Sequence, residues 1–428
     1  MVRLTGQRPR ATWGRVTLAC AAMLLLAALA SAPASAARAG LVRSFGDDGI
    51  APLEPPLPPG ANEFSGVQSA PAPDGSTYVV AEREPCNGSC RPGLLFHFRR
   101  DGRLDRSFGD DGHVAVDGGG GYSLALDSHG RPLLSRAERG TYLLRYTTRG
   151  HLDRSFGGDG EVYLPRMIEG PGTVQPLPGG GLLVSTEDLE QGGGFAPIRL
   201  EELHENGVPV RTFGSDGFVN VGAPGTFHLP PAISPTGAIM IAATGCCTES
   251  VSLIRASARG RLDTRFDRAA RRSLARLATL EDEHFEAELE ADDVVARPDG
   301  GVDLFGDFGQ HGFDARIEGN GGAAAGFGRH GVRLFERPVE RALPLRGGGF
   351  LVFGNGWSGP LRAFVIEPGG SPDPRFRPVA LSPYSEQIDG VAIAPGVIDL
   401  AFERRHVEKL PRAPYLARLR LPRGLVAR

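Results

Sequence analysis

Lysine is nearly missing from this chain: Lys409 stands alone among the arginines. The charges almost cancel, with a net of -3, so no global field argues for nucleic acid or an anionic membrane as partner. No apolar run is long enough to cross a bilayer. The longest, Val16 to Ala30, falls short of the ~20 residues a span requires. Catalytic signatures are missing too. There is no G-x-S-x-G and no H-E-x-x-H. Gly119-Gly120-Gly121 and Gly192-Gly193-Gly194 open no helix and lead to no Lys-Ser/Thr, so they are not phosphate loops. His113, His129, His151, His228, His311, His330 and His406 share no register and read as turn residues. Helical periodicity is absent except across Ala278 to Glu290.

What is abundant is glycine, at 61, and proline, at 35, in a chain of 428 residues that is 41% hydrophobic. Short Val/Leu/Phe runs between the glycines point to a turn-dense all-β chain with a sizeable core. The first 36 residues stand apart. Arg3, Arg8, Arg10 and Arg15 precede the apolar run, and Ala34-Ser35-Ala36 forms an A-x-A cleavage site. This is the pattern of a signal peptide cut after Ala36, with a retained anchor as the alternative. The expectation is a secreted, extracellular protein without a further membrane span, or one held at the cell surface. Cys20 would leave with the signal, and Cys86, Cys90, Cys246 and Cys247 would remain.

Leu104-Asp105-Arg106-Ser107-Phe108-Gly109-Asp110-Asp111-Gly112 returns almost unchanged at Leu152 to Gly160. Aligned on the phenylalanine, the copies are Phe45, Phe108, Phe156, Phe213, Phe266, Phe327 and Phe376, about 50 to 60 residues apart, the spacing of a repeat architecture. Between copies, two apolar runs flank a turn: Pro73-Asp74-Gly75, Ser128-His129-Gly130, Pro178-Gly179-Gly180, Pro235-Thr236-Gly237, Pro298-Asp299-Gly300, Arg346-Gly347-Gly348 and Ala394-Pro395-Gly396. These are hairpin turns in which glycine takes positive φ. The clearest unit predicts strands at Tyr122 to Leu126, Pro132 to Arg136, Tyr142 to Tyr146 and Val162 to Leu164. Four short strands per repeat describe a β-propeller blade. Seven copies and seven turns predict a seven-bladed β-propeller of four-stranded antiparallel blades, a single domain over residues 37–428. The N-terminal copy at Phe45 with Ile50 to Leu53 supplies what the C-terminal strands Val397 to Phe402 and Tyr415 to Leu421 lack. The N-terminal strand is thus expected to pair with the last blade and leave no open sheet edge.

The motif Gly-x-Leu-Asp-x-Ser-Phe-Gly-x-Asp-Gly followed by a strand resembles the delta-60 repeat family of bacterial exported proteins. The resemblance covers residues 41 to 421, is strongest at 102–112 and 150–160, and is eroded at 260–270, 323–331 and 369–379. It implies a repeat-built propeller and no reaction. Read from the residues, the Asp before Ser accepts backbone N–H groups in an Asx turn. The Phe is an anchor buried between blades, contributing about 1.5–3 kcal/mol. Gly-x-Asp-Gly reverses the chain. The doubled acids Asp47-Asp48 and Asp110-Asp111 offer too few oxygens for calcium, because the first of each pair is Gly158 or Ser215 in other copies.

Function is therefore sought in loops that do not repeat. Cys86 and Cys90 can bridge their own loop, and Cys246-Cys247 form a vicinal disulfide or two free thiols. Arg268, Arg271, Arg272 and Arg276 read as a basic outer strand before the acidic insertion 278–293. The candidate binding residues, on one loop face, are Glu187, Asp188, Asp282, His284, Phe308 and Trp357. No cofactor and no metal site is expected. The first reading is a monomeric binding or interaction scaffold for an extracellular protein, glycan or small molecule. The second is a propeller enzyme, lyase or lactonase-like, with a metal or His site in the channel. Its acids on innermost strands would be Asp292, Asp293, Glu340 and Asp389. A channel mouth without an acidic or histidine cluster would remove the second reading.

Overall fold

The computed structural model describes residues 40–52, 64–83, 93–117, 121–138, 140–165, 172–187, 197–222, 227–244, 251–276, 289–308, 311–336, 338–354, 361–374, 376, 379–382, 388–394, 397–404 and 413–421. The chain divides into Met1–Arg38 and Ala39–Arg428. Every described residue belongs to the second unit. The signal segment, all four later cysteines and the acidic insertion through residue 288 lie outside the described residues.

The second unit is a seven-bladed propeller. Blade one is Phe64–Pro71, Thr77–Arg83, Gly93–Phe98 and His113–Val116, hydrogen-bonded in that order from the innermost strand outward. Blade two is Tyr122–Leu126, Pro132–Ala137, Thr141–Arg145 and Glu161–Leu164, close to the strands read from the sequence. Blades three, five and six repeat the plan. In blade seven, Ile388–Ala394, Val397–Arg404 and Ala413–Arg420 are completed by the N-terminus. Gly40–Leu41 and Ile50–Pro52 both pair antiparallel with Ala413–Arg420, Ile50 opposite Ala417. The ring closes as expected.

Blade four departs from the expectation. Its inner edge is split into Phe227–His228 and Ala232–Ile233. In place of the basic outer strand there is one helix, α1, Thr264–Ala275. The cause is in the eroded motif copy. After Phe266 this repeat has Asp267 and Ala270 where five of the other six copies have glycine, so the left-handed turn has no residue suited to it, and, unlike the copy at Phe376, it has no proline to bar a helix. The chain continues as a helix instead. Asp263, elsewhere the Asx-turn acid, becomes its N-cap and accepts from the N–H groups of Arg265 and Phe266. Phe266, Ala270, Ser273 and Leu274 are buried at helical spacing, and the arginines lie on the other positions.

The other motif copies behave as turns. Asp105 and Asp153 accept from the N–H and hydroxyl of Ser107 and Ser155. Asp48, Asp111 and Asp216 have φ of 50, 51 and 59°, a region Asp tolerates better than most residues. All seven motif phenylalanines are buried, none more than 5% exposed. Phe45 packs with Phe96 of blade one and Leu416 of blade seven, which is the inter-blade position expected.

A second repeat runs under the first. Eleven residues before each motif Phe stand His97, Arg145, Glu202, Arg255, Arg316 and Val365, and Arg418 holds this place for Phe45 across the closure. The carbonyl of each accepts from the N–H of the residue three before the Phe, at 2.8–2.9 Å, including Val42 to Arg418. Arg145, Arg255, Arg316 and Arg418 lie over their Phe rings at 4.8, 4.2, 4.0 and 4.2 Å. Each also needs a carboxylate. In blades two and four the motif provides it, Asp153 at 3.0 Å and Asp263 at 2.6 Å. In blades five and seven the motif position is Ala324 or Val42, and the acid comes from the second strand directly opposite. Asp303 faces Arg316 at 2.7 Å and Asp399 faces Arg418 at 2.6 Å. Where the motif keeps its Asp, that second-strand site is apolar, Leu133 or Met240. Each arginine keeps at least one acid while its origin moves, because a buried guanidinium left without one is costly.

Candidate functional site

Three of the four expected acids, Asp292, Asp293 and Glu340, come together where blade five borders blade six. Leu289–Ala296 is the innermost strand of blade five and pairs with Val302–Phe308. Glu290 lies directly opposite Asp307 and Ala291 opposite Gly306. The register then shifts, so that Asp293 faces Phe305 and Asp292 is the extra residue of a β-bulge. Gly306 permits this: a Cβ there would overlap the Glu290 carbonyl oxygen. The bulge turns Asp292 into the acids around it. Burial, then Asp307, Glu290, Glu340 and Asp293, pushes the Asp292 carboxyl up to about 8. Burial and Glu290 push Asp307 up to about 6. Near neutral pH, Asp292 therefore holds its proton and Asp307 is mostly ionised.

Asp293 has a different task. Its Oδ1 accepts from the Val294 N–H at 2.9 Å and its Oδ2 from the Ala342 N–H at 2.8 Å, with Arg341 3.8 Å away. It ties the innermost strand of blade five to that of blade six, Arg341–Pro344. Glu340 precedes that strand, its N–H bonded to the Phe353 carbonyl at 2.9 Å. Asp389 stands opposite Ala401 in blade seven. Among the described residues, no group of three or more His, Cys, Asp or Glu side chains is arranged to hold a metal ion.

Of the loop-face residues, Glu187 ends Leu182–Glu187 and is buried. Phe308 ends Val302–Phe308. Asp188, Asp282, His284 and Trp357 lie outside the described residues. Asp307 was not among the sequence candidates, yet a signal for it exists. Tyr78, Leu183, Asp303 and Asp399 stand opposite the eleven-before-Phe residue of their blades. Four residues on come Glu82, Glu187, Asp307 and Glu403. The second strands of blades one, three, five and seven thus place an acid at one register, at the end leading into the loop face. Glu187 and Asp307 are the same position in different blades.

No family model matches the chain, and no curated protein does. Solved structures do resemble it in fold. A polysaccharide lyase, Uly1, aligns at 10% identity and a TM-score of 0.50, over 88% of this chain and 93% of that one. A protein of unknown function from Dyadobacter fermentans aligns at 12% identity and a TM-score of 0.45, over 87% and 99%. The Dos1 propeller aligns at 9% and 0.45, over 86% and 95%. Identities this low carry the fold and nothing of the chemistry. Among the described residues, no helix is long and apolar enough to cross a membrane.

Proposed function

We propose that the chain is an exported delta-60-type propeller acting as a binding scaffold, and that the mouth of its channel at blades five and six takes an organic cation such as a polyamine or a basic peptide. The observation behind this is the cross-strand pair Glu290–Asp307 with Asp292 bulged in beside it. Like charges directly opposite across a sheet are destabilising, and such crowding is a mark of functional sites. A cation seated there relieves the repulsion. It also favours the carboxylate form of Asp292, so binding expels a proton near pH 7 and tightens as pH rises from 6 to 8. The test is titration with spermidine at pH 6 and pH 8, with wild type and Asp307→Asn. Tighter binding at pH 8, weakened by the substitution and by salt, supports the reading. Binding that ignores pH and the substitution, or none at all, sinks it.

The second reading, an enzyme, also has an observation behind it. Asp292 and Asp307 titrate on either side of neutrality, the arrangement a general acid and base require. Turnover of a polysaccharide or lactone with a bell-shaped pH profile bounded near 6 and 8, abolished by Asp292→Asn, would decide for it.

A further inference from the structure

Farther out between the same two blades lies a cavity of about 710 Å³, within the size range of ligand pockets. Its walls come from Val332–Phe335, the outer strand of blade five, and from Leu361–Ile366 of blade six. Phe335 and Phe364 meet edge to face at 6.2 Å and make an apolar wall. Arg333 and Arg362 enter from opposite sides. The Nε atoms of both are buried and, among the described residues, have no hydrogen-bond partner. Among the described residues Arg333 hydrogen-bonds through Nη1, to Ser371 Oγ at 3.1 Å, and lies 5.6 Å from the Phe327 ring. No close ion pair to either arginine is seen among the described residues, although Asp314, directly opposite Arg333 across the sheet, is near enough to feel its charge.

Two glycines line the cavity. Gly354 stands directly opposite Arg362 across the sheet, where a Cβ would meet the Pro338 carbonyl, and Gly370 lies against Arg333, where a Cβ would overlap the side chain. A buried, unmet Nε costs free energy, and the Nη donors of a planar guanidinium match a carboxylate. The aromatic wall beside it suits a flat or ring-shaped body.

We propose that this crevice binds a six-membered ring bearing one carboxylate, a sugar acid or an aromatic acid, held by Arg333 and Arg362 with its ring on Phe335 and Phe364. It is separate from the acidic mouth and of opposite charge preference. Calorimetric titration of the full chain with glucuronate and with benzoate, against glucose and benzamide, tests it. At least one acid binds and its neutral analogue does not. Which acid binds distinguishes a glycan source from an aromatic one. Arg362→Gln weakens binding about tenfold or more, and Arg333→Lys, which keeps the charge and loses the fork, weakens it comparably. Neither side chain carries an ion pair whose loss would unfold the chain. The proposal is overturned if neither acid binds, if neutral analogues bind equally, if inorganic phosphate binds in their place, or if Arg333→Lys is silent. Asp307→Asn, which reports on the mouth, leaves this binding unchanged.

Discussion

Removing Asp399 and restoring an acid three residues before Phe45 tests the logic of the blade fastenings. Asp399 is 0% exposed and Arg418 5%. The guanidinium donates to its two oxygens at 2.6 and 2.8 Å, and Thr77 Oγ1 donates at 2.6 Å. Asp399→Leu leaves a buried cation without its acid, at a cost of about 3–5 kcal/mol. The lower end applies, because Arg418 keeps the carbonyls of Gly75 and Arg100. Val42 is held beside Arg418 by the same backbone bond, 2.8 Å, that holds Asp153 beside Arg145. Adding Val42→Asp should therefore place a carboxylate where blades two and four have theirs. The double variant should recover about 2 kcal/mol, a coupling within the range for contacting residues. Urea unfolding of wild type, both single variants and the double variant measures it, with midpoints compared at constant slope. Additivity within ~0.5 kcal/mol would refute the idea that the acid's origin is interchangeable.

Other outcomes follow from the same structure. Deleting Gly40–Pro52 uncovers the edge of Ala413–Arg420 and removes Phe45, so the chain should lose cooperative unfolding and self-associate on size-exclusion chromatography; an unchanged melting profile would mean the ring does not depend on this closure. Asp292, whose folded carboxyl titrates well above its unfolded value, contributes stability that is present at low pH and lost as pH rises toward 8, at about 1.4 kcal/mol per unit. Asp292→Asn should thus gain on wild type steadily between pH 5 and pH 8, and parallel stability curves would contradict this. Asp263→Ala removes a helix cap and the acid of Arg255; with Asp263 38% exposed, the loss should be about 1–2 kcal/mol by thermal unfolding.

Much of the architecture was legible because it repeats. The motif Phe, the hairpin turns and the orphan N-terminal copy all follow from positions every blade must fill, and the strands of blade two lie where the residues put them. The helix Thr264–Ala275 was missed because four arginines at mixed spacing suit either a strand or a helix. The copy at Phe376 has lost the same glycines as the one at Phe266 and still leads into the strand Val379–Ser382; the difference is that Pro378 bars a helix there, while no proline interrupts Thr264–Ala275. The third-strand arginines were overlooked for a different reason. Their acids sit in two places, so no single motif column contains them. At the mouth, Asp292 was readable as an acid on an innermost strand, but its exposure to four neighbouring acids depends on a bulge that only Gly306 hints at. Asp307 required comparing second strands by register, where Glu187 already stood.

The most direct measurement on the functional account is the number of protons exchanged when the mouth takes a cation. Calorimetric titration of spermidine at pH 7 in two buffers of different ionisation enthalpy gives that number. The account requires release approaching one proton in wild type and none in Asp292→Asn. Binding of equal strength with no proton release in wild type would contradict it.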